Sequence, residues 1–252
     1  MSHILGSSRA TDAAHWQDLA VNEPGRAGRE RADALHAQWR SLSWFQRVRT
    51  NRDEERHWRE VADGKAMVAR GFERLGASWR VLHSVPGAAD TADIDHLLIG
   101  PGGVFAVNSS HRADQAVCLG ADTMIVNGKR VHHVQHSRLE AARASELLTA
   151  AVGFNVPVTG LVVIVGDNRF DVRQQPSDGA VHVTTPRSAL RWLRRLDTEW
   201  TPYGVERIYE FARRSTTWVG TELEAPVAAV EDTPASTDEG PADPDVAIRA
   251  AS

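Results

Sequence analysis

Two apolar runs joined by Pro101-Gly102-Gly103 constrain this chain more than any other feature. Proline cannot extend a central strand, and the Gly pair supplies the backbone freedom of a tight turn. Residues 92–99 and 104–110 therefore read as an antiparallel hairpin. A third run, 158–165, is almost continuously apolar, as a strand covered on both faces requires. Ahead of the hairpin, 58–75 reads as a helix with Val61, Met67, Val68 and Phe72 on one face, and 78–85 as a strand. Between hairpin and buried strand lies the Ala/Leu-rich helix 136–152. The resulting order α-β-β-β-α-β predicts an α/β fold in three layers. A smaller pair of strands is expected at 115–119 and 123–126, with a short strand at 181–184. Pro186 opens a helix over 187–196 at a favourable first-turn position, and 203–218 is the last helix.

Charge divides the chain. Residues 221–252 carry eight acids against Arg249, a net −7 that leaves +3 for residues 1–220. With Pro226, Pro234, Pro241 and Pro244 and few apolar side chains, the tail cannot bury enough surface to offset its ordering entropy. We read 1–57 as a helical N-terminal extension, 58–220 as the α/β domain and 221–252 as a disordered acidic tail. Within the extension, 41–49 mixes aromatics with arginines and reads as a helix packing Trp44 on the domain with its arginines in water; a membrane-surface helix has the same pattern. The longest apolar run, 161–165, has five residues, far below the roughly 18 that a membrane span needs. The opening residues lack a signal-peptide pattern, so a cytoplasmic protein is the expectation. Cys118 is the only cysteine, which excludes an intrachain disulfide and any multi-cysteine metal site. Lys65 and Lys129 are the only lysines among 29 basic residues, so a mechanism that needs a lysine has two candidates.

The hairpin is also where chemistry gathers. By strand alternation, Asp93 and Asp95 share a face opposite to His96, while Asn108 and Ser110 share a face opposite to Ser109 and His111. An aspartate facing a polar pair at i and i+2 on its partner strand is a metal-site geometry. Mg²⁺ or Mn²⁺ takes one or two carboxylates plus water and substrate phosphate, and a nearby lysine stabilises charge on the phosphate.

Gly64-Lys65, Trp79-Arg-Val-Leu-His-Ser-Val and Ile94-Asp95-His96 followed by Ile99-Gly-Pro-Gly-Gly-Val-Phe-Ala-Val resemble the nuclease-related domain (NERD) family. That family is placed with the PD-(D/E)xK restriction-endonuclease-like nucleases, and the resemblance covers roughly residues 58 to 165. Asn127-Gly-Lys-Arg and His136-Ser-Arg-Leu-Glu-Ala continue it and are similar to an actinobacterial branch. The resemblance implies a restriction-endonuclease-like core with a mixed central sheet and, where active, Mg²⁺- or Mn²⁺-assisted phosphodiester hydrolysis in DNA metabolism. It places the family aspartate at Asp95, the second carboxylate at Asn108, the lysine at Ser110 and the glutamate of the first helix at Lys65. The glutamine of the following helix falls at His136 or, one place off, at Gln135. Three catalytic positions are thus substituted, and a lysine in place of a glutamate repels the cation.

A catalytically degraded nuclease that binds nucleic acid or protein is the leading expectation. An active enzyme using Asp95 with a relocated lysine, and a protein-interaction scaffold with no nucleic-acid role, are the alternatives. Arg138 and Arg143 on one helix, and Arg191, Arg194 and Arg195 on another, are the candidate DNA contacts, because the guanidinium fork suits phosphate. Asp93 is a candidate second carboxylate. His132-His133-x-x-His136 has metal-ligand spacing without a matching second half. Ser109-Ser110-His111 lacks a nucleophile elbow.

Overall fold

The computed structural model describes residues 16–41, 43, 53–87, 93–112, 115–166 and 169–219. The stretch 41–49 lies outside these residues apart from Ser41 and Ser43, and the acidic tail lies wholly outside them.

Helix α1 (Arg26–Ser41) lies along α2 (Asp53–Phe72), and small residues set their approach: Gly28, Ala32 and Ala62 are buried where the helices touch. Helix α2 starts five residues earlier than the apolar pattern predicts, because Asp53, Glu54 and Glu55 form a favourable acidic first turn. Strands β1 (Arg80–Val85), β2 (Ile94–Gly100) and β3 (Gly103–His111) then run antiparallel, with the Pro-Gly-Gly turn closing the predicted hairpin. Helix α3 (His133–Val152) returns the chain to β7 (Val158–Val165), which lies parallel to β3, and β9 (Val181–Thr184) lies parallel to β7. The mixed sheet has the order β1-β2-β3-β7-β9.

Helices cover both faces of that sheet. Val68 and Phe72 of α2 and Leu193 of α4 (Pro186–Leu193) pack on Leu98, Phe105, Val107, Leu161 and Val163. Ala141, Ala144 and Leu148 of α3, with Val205 and Ile208 of α5 (Pro202–Ala212), pack on Leu82, Leu97, Ile99, Val104 and Ala106. The α-β-β-β-α-β core expected from the sequence is therefore α2-β1-β2-β3-α3-β7. Gly160 sits where α3 presses on β7: a Cβ there would lie 2.9 Å from the Ser137 carbonyl oxygen.

A second, four-stranded sheet takes three strands from the segment between β3 and α3 and its fourth from the segment between β7 and β9. Strands β4 (Val117–Gly120) and β5 (Thr123–Val126) match the expected pair, while β6 (Lys129–Val131) and β8 (Phe170–Gln174) are additions. Neither added strand shows buried alternation, so periodicity has nothing to detect. The expected last helix is broken at Arg213–Arg214 into α5 and α6 (Ser215–Trp218). Residues 17–19 cross that break, with Leu19 N–H donating to the Arg213 carbonyl and Ser215 N–H to that of Gln17. Among the described residues no helix is long and apolar enough to cross a membrane.

Candidate functional site

The candidate site forms where the hairpin stops being a regular ladder. Strands β2 and β3 pair from Gly100↔Gly103 to His96↔Val107, and on the other side β1 is kinked at Ser84, whose φ is 48°. Beyond His96 the Asp95 N–H no longer meets a ladder carbonyl but donates to Asn108 Oδ1 at 3.4 Å. Strict alternation would aim Asp95 at Asn108 and Ser110. Past the end of the ladder Asp95 meets Ser109 instead, whose N–H and hydroxyl donate to Asp95 Oδ2 at 2.8 and 2.7 Å. This corrects the sequence reading of which serine faces the aspartate. Ser110 is buried, and no hydrogen bond joins it to Asp95 among the described residues.

The other carboxylate oxygen is held from the helix layer. Lys65, on α2, places Nζ 2.6 Å from Asp95 Oδ1. Asp95 is 7 % exposed in its side chain and Lys65 30 %, so the pair is shielded on the acid side and open to water on the amine side. The preceding residue, Gly64, is buried beside His111 and Val165 at the carboxyl ends of β3 and β7.

Asn108 links Asp95 to a residue that the sequence reading missed. Its Nδ2 donates to the Glu140 carboxylate, while its Oδ1 accepts from the Asp95 N–H. A backbone donor on one side and a carboxylate on the other fix which way the amide points. Burial pushes the Glu140 carboxyl up to about 7; the Asn108 donor works against that rise and the negative charge of Asp95 adds to it. A signal for Glu140 was present, since it falls with Ser137, Ala141, Ala144 and Leu148 on the buried stripe of α3. An acid on the inward face of a helix must find a partner.

The donor set does not fit a divalent cation. Asp95 already accepts three donors, the Asn108 oxygen already accepts a backbone N–H, and an ammonium stands against the Asp95 carboxylate. A metal ion at hydrogen-bonding range of that ammonium would be repelled by several kcal/mol even at an effective dielectric near 20, on the order of 4 kcal/mol per unit charge. Among the described residues no group of three or more His, Cys, Asp or Glu is placed to hold a metal ion.

The other candidates disperse. Asp93 is exposed and accepts from the Gly87 N–H at 3.4 Å. His96 is fully buried, with Nδ1 2.9 Å from His83 Nδ1; burial lowers it to about 3, against the opposing pull of Asp95. His132 contacts Gln135, His133 contacts Arg112, and His136 is exposed, so the three imidazoles do not converge. Cys118 is partly buried on β4. Arg138 is bound to Asp122 at 2.6 Å and Asp178 at 2.8 Å, and Arg143 donates to the Trp218 carbonyl at 3.3 Å. Both sit on α3, whereas Arg191, Arg194 and Arg195 lie on or just after α4. The sheet separates these two groups of arginines, because α3 and α4 pack on its opposite faces.

Residues 60–165 match the family model of the nuclease-related domain. That span contains Lys65, Asp95, Asn108, Ser109, Ser110 and Glu140. No curated protein and no solved structure matches the chain.

Proposed function

We propose that this chain, which carries a nuclease-related domain over residues 60–165, is a nuclease-derived binding protein of DNA metabolism whose cleavage site is closed by its own ion pair. The observation that carries this reading is the 2.6 Å contact between Lys65 Nζ and Asp95 Oδ1. In metal-assisted phosphodiester hydrolysis, carboxylates hold the cation that polarises the phosphate. Here the lysine ammonium supplies the positive charge that the aspartate needs, and Ser109 donates twice to its other oxygen. A buried carboxylate satisfied in this way has no reason to recruit a metal. The fold persists while the chemistry does not, and function then resides in binding, with nucleic acid as the ligand that the family assignment favours.

The same contact lends weight to a second reading, in which Lys65 is a relocated catalytic lysine and Glu140 replaces the lost carboxylate. The two readings part on metal. If the site is closed, Mn²⁺ leaves the melting temperature of the unmodified protein unchanged and raises that of Lys65→Ser, where Asp95 is freed. Stabilisation of the unmodified protein by Mn²⁺, abolished in Asp95→Asn, would establish the second reading instead. A scaffold with no nucleic-acid role predicts no salt-dependent DNA binding at all.

A further inference from the structure

The geometry points to a duplex-DNA phosphate-binding surface on the outer side of the α2–α4 helix layer, behind the Asp95 site and not within it. This inference rests on the nucleic-acid reading above and assigns it a face of the molecule. Arg70 on α2, Arg74 in the turn that follows it, Arg187 and Arg191 on α4, and Arg194 and Arg195 just beyond are all exposed. The two helices are in contact through Gly71 and Leu190, and Arg194 Nη2 donates to the Arg74 carbonyl at 2.6 Å, so the six guanidiniums belong to one surface.

None of the six forms an ion pair among the described residues, and neither do the neighbouring acids Glu73, Asp197 and Glu199. Elsewhere Arg26, Arg29, Arg31, Arg56, Arg59, Arg80, Arg138, Arg173 and Arg213 each meet a carboxylate, and the other arginines without an ion pair among the described residues, Arg112, Arg130, Arg143, Arg169, Arg207 and Arg214, are scattered over separate elements, so the six stand out by gathering on two touching helices. Helix stability accounts for part of the pattern, since cations near a helix C-terminus are favourable. It does not account for Arg187, which stands in the first turn of α4 directly after Pro186, where the helix dipole opposes a cation. A charge that the fold does not compensate is available to an external anion.

The kind of anion follows from what surrounds the arginines. Proteins that bind single strands offer aromatic faces for bases to stack on. Here the aromatic residue beside the patch, Trp192, is stacked on His182 at 4.1 Å between ring centres and meets Phe105 at 5.5 Å, so it is engaged within the fold. Guanidiniums without stacking platforms suit the regular phosphates of a duplex, which fix position without reading sequence. Because Lys65 points inward from the same helix toward buried Asp95, the patch and the ancestral site lie on different sides of α2.

The test is fluorescence anisotropy of a labelled DNA duplex of about 30 base pairs, titrated with the full chain from about 50 to 200 mM salt. The triple variant Arg70→Gln, Arg191→Gln, Arg195→Gln is compared with Arg130→Gln, Arg173→Gln, Arg207→Gln, which removes equal charge elsewhere, and circular dichroism checks that both fold. The first triple is expected to raise Kd roughly tenfold and flatten the slope of log K against log salt by about 2.7, at about 0.9 per phosphate contact. The second triple retains the slope. Binding by the unmodified protein that both triples weaken equally, or that the first leaves intact, overturns the surface and spares the nucleic-acid reading. Tighter binding to the single strand overturns the choice of duplex. No binding by the unmodified protein overturns both the surface and the reading on which it rests.

Discussion

Lys65 Nζ and Asp95 Oδ1, brought together from a helix and the end of a strand, lie 2.6 Å apart with the carboxylate almost wholly buried. Removing the lysine leaves an uncompensated buried charge, whereas removing the aspartate leaves a lysine that can still reach water. Lys65→Ala should therefore cost about 2 kcal/mol, discounted from a fully buried pair because the amine is partly exposed. Urea denaturation measures it, and a loss below a few tenths of a kcal/mol would mean that the pair does not hold the site together.

Ser109 fixes the other carboxylate oxygen with its hydroxyl as well as its N–H. Ser109→Ala should cost about 1 kcal/mol, while Ser110→Ala, at a position with no bond to Asp95, should cost less. Equal losses at the two positions would contradict the pairing of Asp95 with Ser109.

How far the sequence could be read turns on regularity. The hairpin, the buried strand β7 and the two core helices were legible because each obeys its period and ends at a Pro or Gly signal. The motif drew attention to Asp95, Asn108 and Lys65, which the fold brings together around one carboxylate. What alternation could not reveal was where the ladder stops: the β2–β3 register ends at His96↔Val107, and beyond it Asp95 meets Ser109 and not Ser110. For Glu140 the helical period shows an acid on the buried stripe but not its partner, since Asn108 comes from another element and only the tertiary packing of α3 on β3 joins them. Strands β6 and β8 were missed because their side chains are mostly exposed.

Two buried groups set opposite pH slopes. His96 sits near 3 in the fold against 6.5 in the unfolded chain, so between those values only the unfolded chain binds the proton, and stability falls as pH drops below about 6.5. Glu140 sits near 7 against 4.5, so its contribution is fully present below 4.5 and is lost as pH rises through 7. Between 4.5 and 6.5 the two slopes oppose each other, so Glu140→Gln, which keeps an acceptor for Asn108, should turn that stretch into a rise of stability with pH and leave the arm below 4.5 unchanged. Melting temperature against pH reads both arms, and an unchanged neutral arm in Glu140→Gln would reject this assignment.

Gly160 lets α3 close on β7. A Cβ at this position would collide with Ser137, including its carbonyl oxygen at 2.9 Å, so backbone must move. Gly160→Ala should cost about 2 kcal/mol through overpacking, seen as a lower urea midpoint with an unchanged m-value.

The most direct test of the central claim is incubation of the purified chain with single-stranded, linear and supercoiled DNA in Mg²⁺ and in Mn²⁺. It is run beside Asp95→Ala and the restoring change Lys65→Glu, Asn108→Glu, Ser110→Lys. A site closed by the Lys65–Asp95 pair predicts intact DNA with the unmodified protein and cleavage only with the restored variant. Cleavage by the unmodified protein that Asp95→Ala abolishes would contradict the account and assign Lys65 to catalysis.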